Sequence, residues 1–273
     1  MSLPLTLATG ALRSPFKRLP PTPAALGHTA RLHLPGVRPD PHRLHTYNHL
    51  CGYGTAETIP LSYPHLLGFP LAMRLMAAPA FPLPLLGLVH TRITLTRHHP
   101  LAPADPLDLT VHLTGLTLHH RGTEATVTTE AHSPDGTLLW DSTSSYLARH
   151  PTPDQDLERT DRSAPAPLPA LAEWRLPPDL GRRYGAVSGD RNPIHLHLLT
   201  ARPFGFRRPI AHGMYTLARC LSQHQLPEAV RVEASFTAPV PLPGTAVYAA
   251  DAHSFELRSP DGRTHLRGAV TAP

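Results

Sequence analysis

At 273 residues with 41% apolar content, the chain is long enough to fill one large or two small hydrophobic cores. Its net charge is +5, but the basic residues are mostly single arginines and aromatics make up only 6% of the chain, so no nucleic-acid partner is expected. It has no apolar run of about 18 residues, only two cysteines, and an N-terminal Leu-Pro-Leu-Thr-Leu-Ala stretch with an early proline followed by Arg13, Lys17 and Arg18. This predicts no membrane span, no disulfide framework, no signal peptide and a cytoplasmic location.

In chain order, His65 to Met76 is the first apolar run of helical length, rich in Leu, Ala and Met. Strands are predicted at Leu88 to Thr96, Leu107 to Leu118, Glu124 to Ala131 and Thr137 to Tyr146, where Thr and Val alternate with apolar residues. Asp135-Gly136 signals a hairpin between the last two. The prolines from His150 to Pro178 read as a linker. A helix is then predicted from about Ile210 to Gln225. Strands follow near Val230 to Phe236, Thr245 to Ala252, Ser254 to Arg258 and His265 to Thr271, with Asp261-Gly262 joining the last pair. The adjacent pairs His98-His99 and His119-His120 are expected to point apart on strands, and no Cys/His set has finger-like spacing, so no metal site is predicted.

One helix followed by an antiparallel meander thus occurs twice, and short skeletons repeat with it. Tyr47 and Gly52 parallel Tyr184 and Gly189; Pro64, Gly68 and Arg74 parallel Pro209, Gly213 and Arg219. The copies differ where chemistry would sit. Tyr53 follows Gly52 where Asp190 follows Gly189, Leu67 stands at the position of His212, and the intervening loop of the first copy is eight residues shorter.

Between Tyr184 and Ala218 the chain reads Tyr-Gly-Ala-Val-Ser-Gly-Asp-Arg-Asn-Pro-Ile-His, and later Gly-Phe-Arg-Arg-Pro-Ile-Ala-His-Gly-Met. Asp190 and His195 offer an acid and a base, and the Asn192-Pro193 turn braces the loop between them. His212-Gly213 opens a helix whose first backbone N–H groups are unpaired. The segment resembles the hydratase motif of MaoC-like, (R)-specific enoyl-thioester hydratases and dehydratases. Its matching residues are Tyr184, Ser188, Gly189, Asp190, Asn192, Pro193, Ile194, His195, Gly205, Phe206, Ile210, His212, Gly213 and Met214. His197 departs from the pattern, since family members often carry an acidic residue there.

The resemblance implies an α+β double hot-dog fold, with two antiparallel sheets each wrapped around a central helix. The expected division is a degenerate hot-dog at 1–150, a Pro-rich linker at 151–170 and a catalytic hot-dog at 171–273, packed as a pseudo-dimer that is able to dimerise further. The implied activity is reversible (R)-specific hydration of trans-2-enoyl thioesters, or dehydration of (R)-3-hydroxyacyl thioesters, carried on coenzyme A or acyl-carrier protein in fatty-acid metabolism. No cofactor is implied. Asp190 and His195 would handle water and protons, with their separate roles open, and the Gly213 N–H would hold the thioester oxygen. Ser188, Asn192 and His212 would support the loop or line the pocket, and Arg202, Arg207 and Arg208 would meet the carrier's phosphates. A hot-dog thioesterase and a non-catalytic acyl-thioester binding protein are the alternative readings.

Overall fold

The computed structural model describes residues 17, 31–55, 59–152 and 168–273. The leader reading on residues 1–16 and the central part of the Pro-rich linker, residues 153–167, lie outside the described residues. The first half runs β1 (Leu32–Val37), α1 (Pro41–Cys51), α2 (Tyr63–Ala77), β2 (Val89–Arg97), β3 (Leu107–His119), β4 (Gly122–His132) and β5 (Leu138–Arg149). The second runs β6 (Ala170–Leu176), α3 (Leu180–Ser188), α4 (Pro193–Leu196), α5 (Leu198–Ala201), a 3-10 turn at Arg202–Phe204, α6 (Gly213–Leu221), β7 (Val230–Phe236), β8 (Gly244–Ala250), β9 (Ser254–Arg258) and β10 (Thr264–Thr271). With α4, α5 and the 3-10 turn set aside, the two halves have the same element order.

The strands of both halves form one antiparallel sheet in the order β1-β3-β4-β5-β2-β7-β10-β9-β8-β6. Each half thus contributes the same internal order, and the halves join where β2 pairs with β7, from Arg92 opposite Ser235 to Arg97 opposite Val230. The joint removes two exposed strand edges. Alternation sets the inner face: Trp140, Ser142, Ser144 and Tyr146 of β5 are buried while the residues between them are partly exposed. One apolar core runs across the joint, taking in Leu44, Tyr47, Leu95 and Trp140 from the first half and Tyr184, Leu217, Val232 and Leu266 from the second. A second core lies beneath α2, with Leu71, Met76, Phe81, Val111, Val127 and Tyr146.

The repeat extends to local chemistry. Both DG hairpins close with the same pair of bonds, Ser133 N–H to Thr137 O and Gly136 N–H to Ser133 O in one, Ser259 N–H to Arg263 O and Gly262 N–H to Ser259 O in the other, all 2.9 Å. Gly136 and Gly262 take φ values of 91° and 89°, a region open to glycine. Helices α1 and α3 both end on a left-handed glycine, Gly52 at φ 85° and Gly189 at φ 81°.

Three expectations need correction. The stretch from His150 to Pro178 is not all linker, because Ala170–Leu176 forms β6, pairing with β8. As an edge strand, β6 buries little and leaves Leu171 exposed, so its sequence lacks a strong apolar signal. The second-half helix is shorter than Ile210 to Gln225, because Gly213 is its first residue and Leu221 its last. His119 and His120 do not point apart: they fall at the end of β3 and in the turn beyond it, where strand alternation ends, and their rings lie 4.1 Å apart.

Candidate functional site

Helix α3 delivers the motif. Its left-handed cap at Gly189 turns the chain sharply, and the Asp190 N–H donates to Ser188 Oγ at 3.1 Å. The Asn192 N–H donates to Asp190 Oδ1 at 3.0 Å, which orients the carboxylate and leaves Oδ2 for other partners. Asn192 then caps α4, its Oδ1 accepting the Ile194 N–H at 3.3 Å, with Pro193 in the first turn. That short helix holds His195.

The loop lies directly on α3 because two helical glycines make room for it. A Cβ on Gly181 would stand 1.8 Å from the His195 carbonyl oxygen, and one on Gly185 would stand 2.8 Å from that of Asp190. Arg43 of α1 reaches across from the first half. Its Nε and Nη2 donate to the carbonyls of Val187 and Ser188 at 2.6 and 3.1 Å, tying the last turn of α3 in place. Gly181, Gly185 and Arg43 were not among the expected site residues. The four-residue spacing of the glycines within the motif-bearing helix was the one sequence signal for them.

His195 is buried and its Nδ1–H donates to the Ile210 carbonyl at 2.8 Å, so Nε2 carries the free lone pair. Burial lowers its pKa, opposed by the Asp190 charge and the bond to Ile210. His212 is the residue before α6 and stacks on His195, with ring centroids 3.7 Å apart. Its Nε2–H donates to the Asp190 carbonyl at 3.0 Å, a bond to the loop. The same Nε2 lies 3.9 Å from Asp190 Oδ2. Burial and the neighbouring His195 push the His212 pKa down to about 3. Two neutral imidazoles therefore stand against one carboxylate, and Asp190 is the most exposed of the three.

Gly213 starts α6, and a side chain there would meet the Phe236 ring at 3.0 Å. Its N–H is among those a helix leaves without an internal partner. His197, expected only as a departure from the acidic pattern, is exposed and caps α5 by accepting the Leu199 N–H at 3.2 Å. Arg202, Arg207 and Arg208 are exposed on and beside the 3-10 turn, apart from the buried groups.

One ligand atom from each of Asp190, His195 and His212 lies within 4.8 Å of the others, so these three are also the residues that could bracket a cation. Of their ring nitrogens, His195 Nδ1 and His212 Nε2 are committed to backbone carbonyls.

In the first half, the counterpart of this site is filled. Tyr53, in the place of Asp190, bonds Ser62 Oγ at 3.3 Å through its hydroxyl, and Tyr47 bonds the same oxygen at 2.8 Å. Helix α2 begins at Tyr63, and the described residues of the shorter loop before it hold no counterpart of α4.

Residues 151–258 match the MaoC-like domain family. The chain is 34% identical over 210 residues to 3-hydroxyacyl-thioester dehydratase X of Mycobacterium tuberculosis, covering 76% of this chain and 75% of that protein. The crystal structure of HtdX from the same organism superposes with a TM-score of 0.78 at 30% identity, over 89% of this chain and all of the other. A Mycobacterium tuberculosis protein described as a double hotdog fold superposes with a TM-score of 0.57 at 14% identity, over 89% and 95% of the two chains, a likeness of fold alone.

Proposed function

Because the chain belongs to the MaoC-like family of 3-hydroxyacyl-thioester dehydratases, we propose that it interconverts (R)-3-hydroxyacyl and trans-2-enoyl thioesters in fatty-acid metabolism. In the dehydration direction the C2–H and C3–O bonds break, the C2=C3 double bond forms and water leaves. The observation that carries the reading is the gathering of Asp190, His195 and His212, the residue just before α6, with one side-chain atom of each within 4.8 Å of the others. A thioester oxygen at the Gly213 N–H gathers the charge that develops when the C2 proton departs. One such donor is worth roughly 10² to 10³ in turnover. Asp190 and His195 together take that proton and protonate the departing hydroxyl, contributing about 10² to 10⁴. Ser188, Asn192 and His212 hold the loop, and Arg202, Arg207 and Arg208 face the phosphates of the carrier.

In this division the second half supplies the acid and base, while the first half braces it and covers the substrate. The buried, unpaired thiols of Cys51 and Cys220 favour a reducing, cytosolic setting. The test is incubation with crotonyl-coenzyme A in deuterated water. The reading expects loss of enoyl absorbance without thiol release, an (R)-3-hydroxy product and a single C2 configuration. Thiol release would assign a thioesterase instead, and binding without turnover would assign an acyl-thioester binding protein.

A further inference from the structure

A second polar cluster faces the candidate site from the first half. Tyr146 on β5 lies opposite His90 on β2, their rings 4.7 Å apart. His90 also packs on Phe236, 5.0 Å away, the ring that abuts Gly213, and on His65 of α2, 6.0 Å away. The Asp190 carboxylate acts on both outer members of this cluster, opposing the lowering of the His65 pKa by burial and reinforcing the raising of the Tyr146 pKa by burial.

His90 points inward because of a local irregularity. The β2–β5 register shifts between His90 and Arg92, so one extra residue turns the side chain that alternation would have sent outward. The bulge is pinned from the other side. The Thr91 hydroxyl donates to Glu124 Oε1 at 2.5 Å and Arg92 Nη2 donates to Glu124 Oε2 at 2.7 Å, Glu124 itself being buried. The imidazole that results is neutral, with its pKa down at about 3 through burial and the neighbouring His65. It bonds the backbone of Arg92 in the sense that favours a ring proton, as a carbonyl acceptor does. Its Nε2 is buried without a hydrogen-bond partner among the described residues. A lone pair left unpaired in this way costs about 1 to 3 kcal/mol unless something occupies it. His90 as a residue is only partly covered, and its ring lies against Phe236, whose own ring abuts Gly213 at the start of α6.

We propose that His90, with Tyr146 and His65 beside it, binds a hydroxyl group on the acyl chain a few bonds beyond C3, making this enzyme selective for hydroxylated acyl thioesters. The inference rests on the hydratase reading given above. The acyl end, and not the carrier arm, is the occupant. Tyr146 is part of the core beneath α2, with Leu71, Met76 and Val127, whereas the arm must run outward to its phosphates. A neutral imidazole with a free lone pair accepts, and a hydroxyl donates.

The test compares hydration of 2-hexenoyl-coenzyme A with that of its 5-hydroxy and 6-hydroxy derivatives. Wild-type enzyme should prefer one hydroxylated substrate at least about 10-fold in kcat/KM, and His90→Phe should erase that preference while keeping most of the turnover of 2-hexenoyl-coenzyme A. Tyr146→Phe, which removes one oxygen, should weaken the preference without threatening the fold, and His90→Gln should restore part of it. An equal fall for plain and hydroxylated substrates, or a wild-type enzyme with no preference, overturns the proposal. Should the plain enoyl substrate not be hydrated at all, the hydratase reading fails separately. Calorimetric binding of 6-hydroxyhexanoyl- against hexanoyl-coenzyme A to wild-type and His90→Phe protein then decides whether this wall selects a hydroxyl.

Discussion

Gly181→Ala offers the sharpest test of how the site is held, because a single methyl group would be placed against the backbone of His195. Its Cβ would lie 1.8 Å from the His195 carbonyl oxygen and 2.9 Å from the carbonyl carbon. To regain ordinary contact, α4 must retreat by about 1.5 Å or α3 must tilt away from it. Alanine in mid-helix normally stabilises by about 0.5 to 1 kcal/mol over glycine, whereas overpacking of this severity costs about 1 to 3 kcal/mol, so a net loss is expected. The larger effect is on rate. A displacement near 1 Å of a reacting group costs about 10²-fold, and here the displaced backbone belongs to His195 itself. The expected outcome is a fall of about 10² in kcat for crotonyl-coenzyme A hydration, with KM changing less and the melting temperature down by a few degrees. Gly185→Ala, whose Cβ would stand 2.8 Å from the Asp190 carbonyl, should lie between this variant and wild type. Wild-type turnover and an unchanged or raised melting temperature in Gly181→Ala would show that the loop does not rest on α3 in this way.

Other outcomes follow from the same geometry. Asp190→Asn and His195→Gln, each nearly isosteric, should lower turnover by about 10² to 10⁴ with circular dichroism unchanged; retention of more than a tenth would remove that residue from the acid/base pair. Arg43→Met removes two charge-assisted bonds to the end of α3 and should cost about 2 kcal/mol in denaturant unfolding, together with a loss of turnover. Tyr53→Phe should leave turnover nearly unchanged, since its hydroxyl bonds only Ser62 at 3.3 Å among the described contacts. Acid should destabilise the fold early. His65, His90 and His212 have pKa values lowered by burial to about 4, 3 and 3 from 6.5, so the unfolded chain binds their protons first. Their contribution is complete above pH 6.5 and is lost as pH falls towards 4 and then 3, at up to about 1.4 kcal/mol per pH unit for each. Denaturant titrations across this range should show the slope, and His65→Leu should flatten it.

The strands from Val89 onward are legible because they alternate over long stretches, and Val230–Phe236 and Ser254–Arg258 agree with their expected bounds. Helices α1 and α3 are not. In α1, Leu44, Tyr47 and Cys51 carry the buried face among histidines and an arginine, and most of the helix faces outward, so its apolar stripe is thin. In α3 the residues that matter most are glycines, which local propensity counts against a helix. The motif itself was readable down to Asp190, His195 and Gly213, because a turn, a cap and a helix start each need a particular residue type. What stays hidden is what the fold adds at a distance. No spacing in the sequence announces Arg43 on Ser188, His212 stacked on His195, or a bulge that turns His90 inward.

The joint between β2 and β7 makes both halves part of one polypeptide and one sheet, and this changes how such a protein can vary. In an assembly of two identical chains, every substitution appears twice, so a change that enlarges one cleft must also alter the other. Here Tyr53, bonded to Ser62, stands in one half where Asp190 stands in the other, and among the described residues α4 occurs once. A substitution in the first half leaves Asp190 and His195 in the second unchanged, and the ratio of the two halves is fixed at synthesis. Asymmetry that a homodimer could reach only by mixing two gene products is encoded here in a single reading frame.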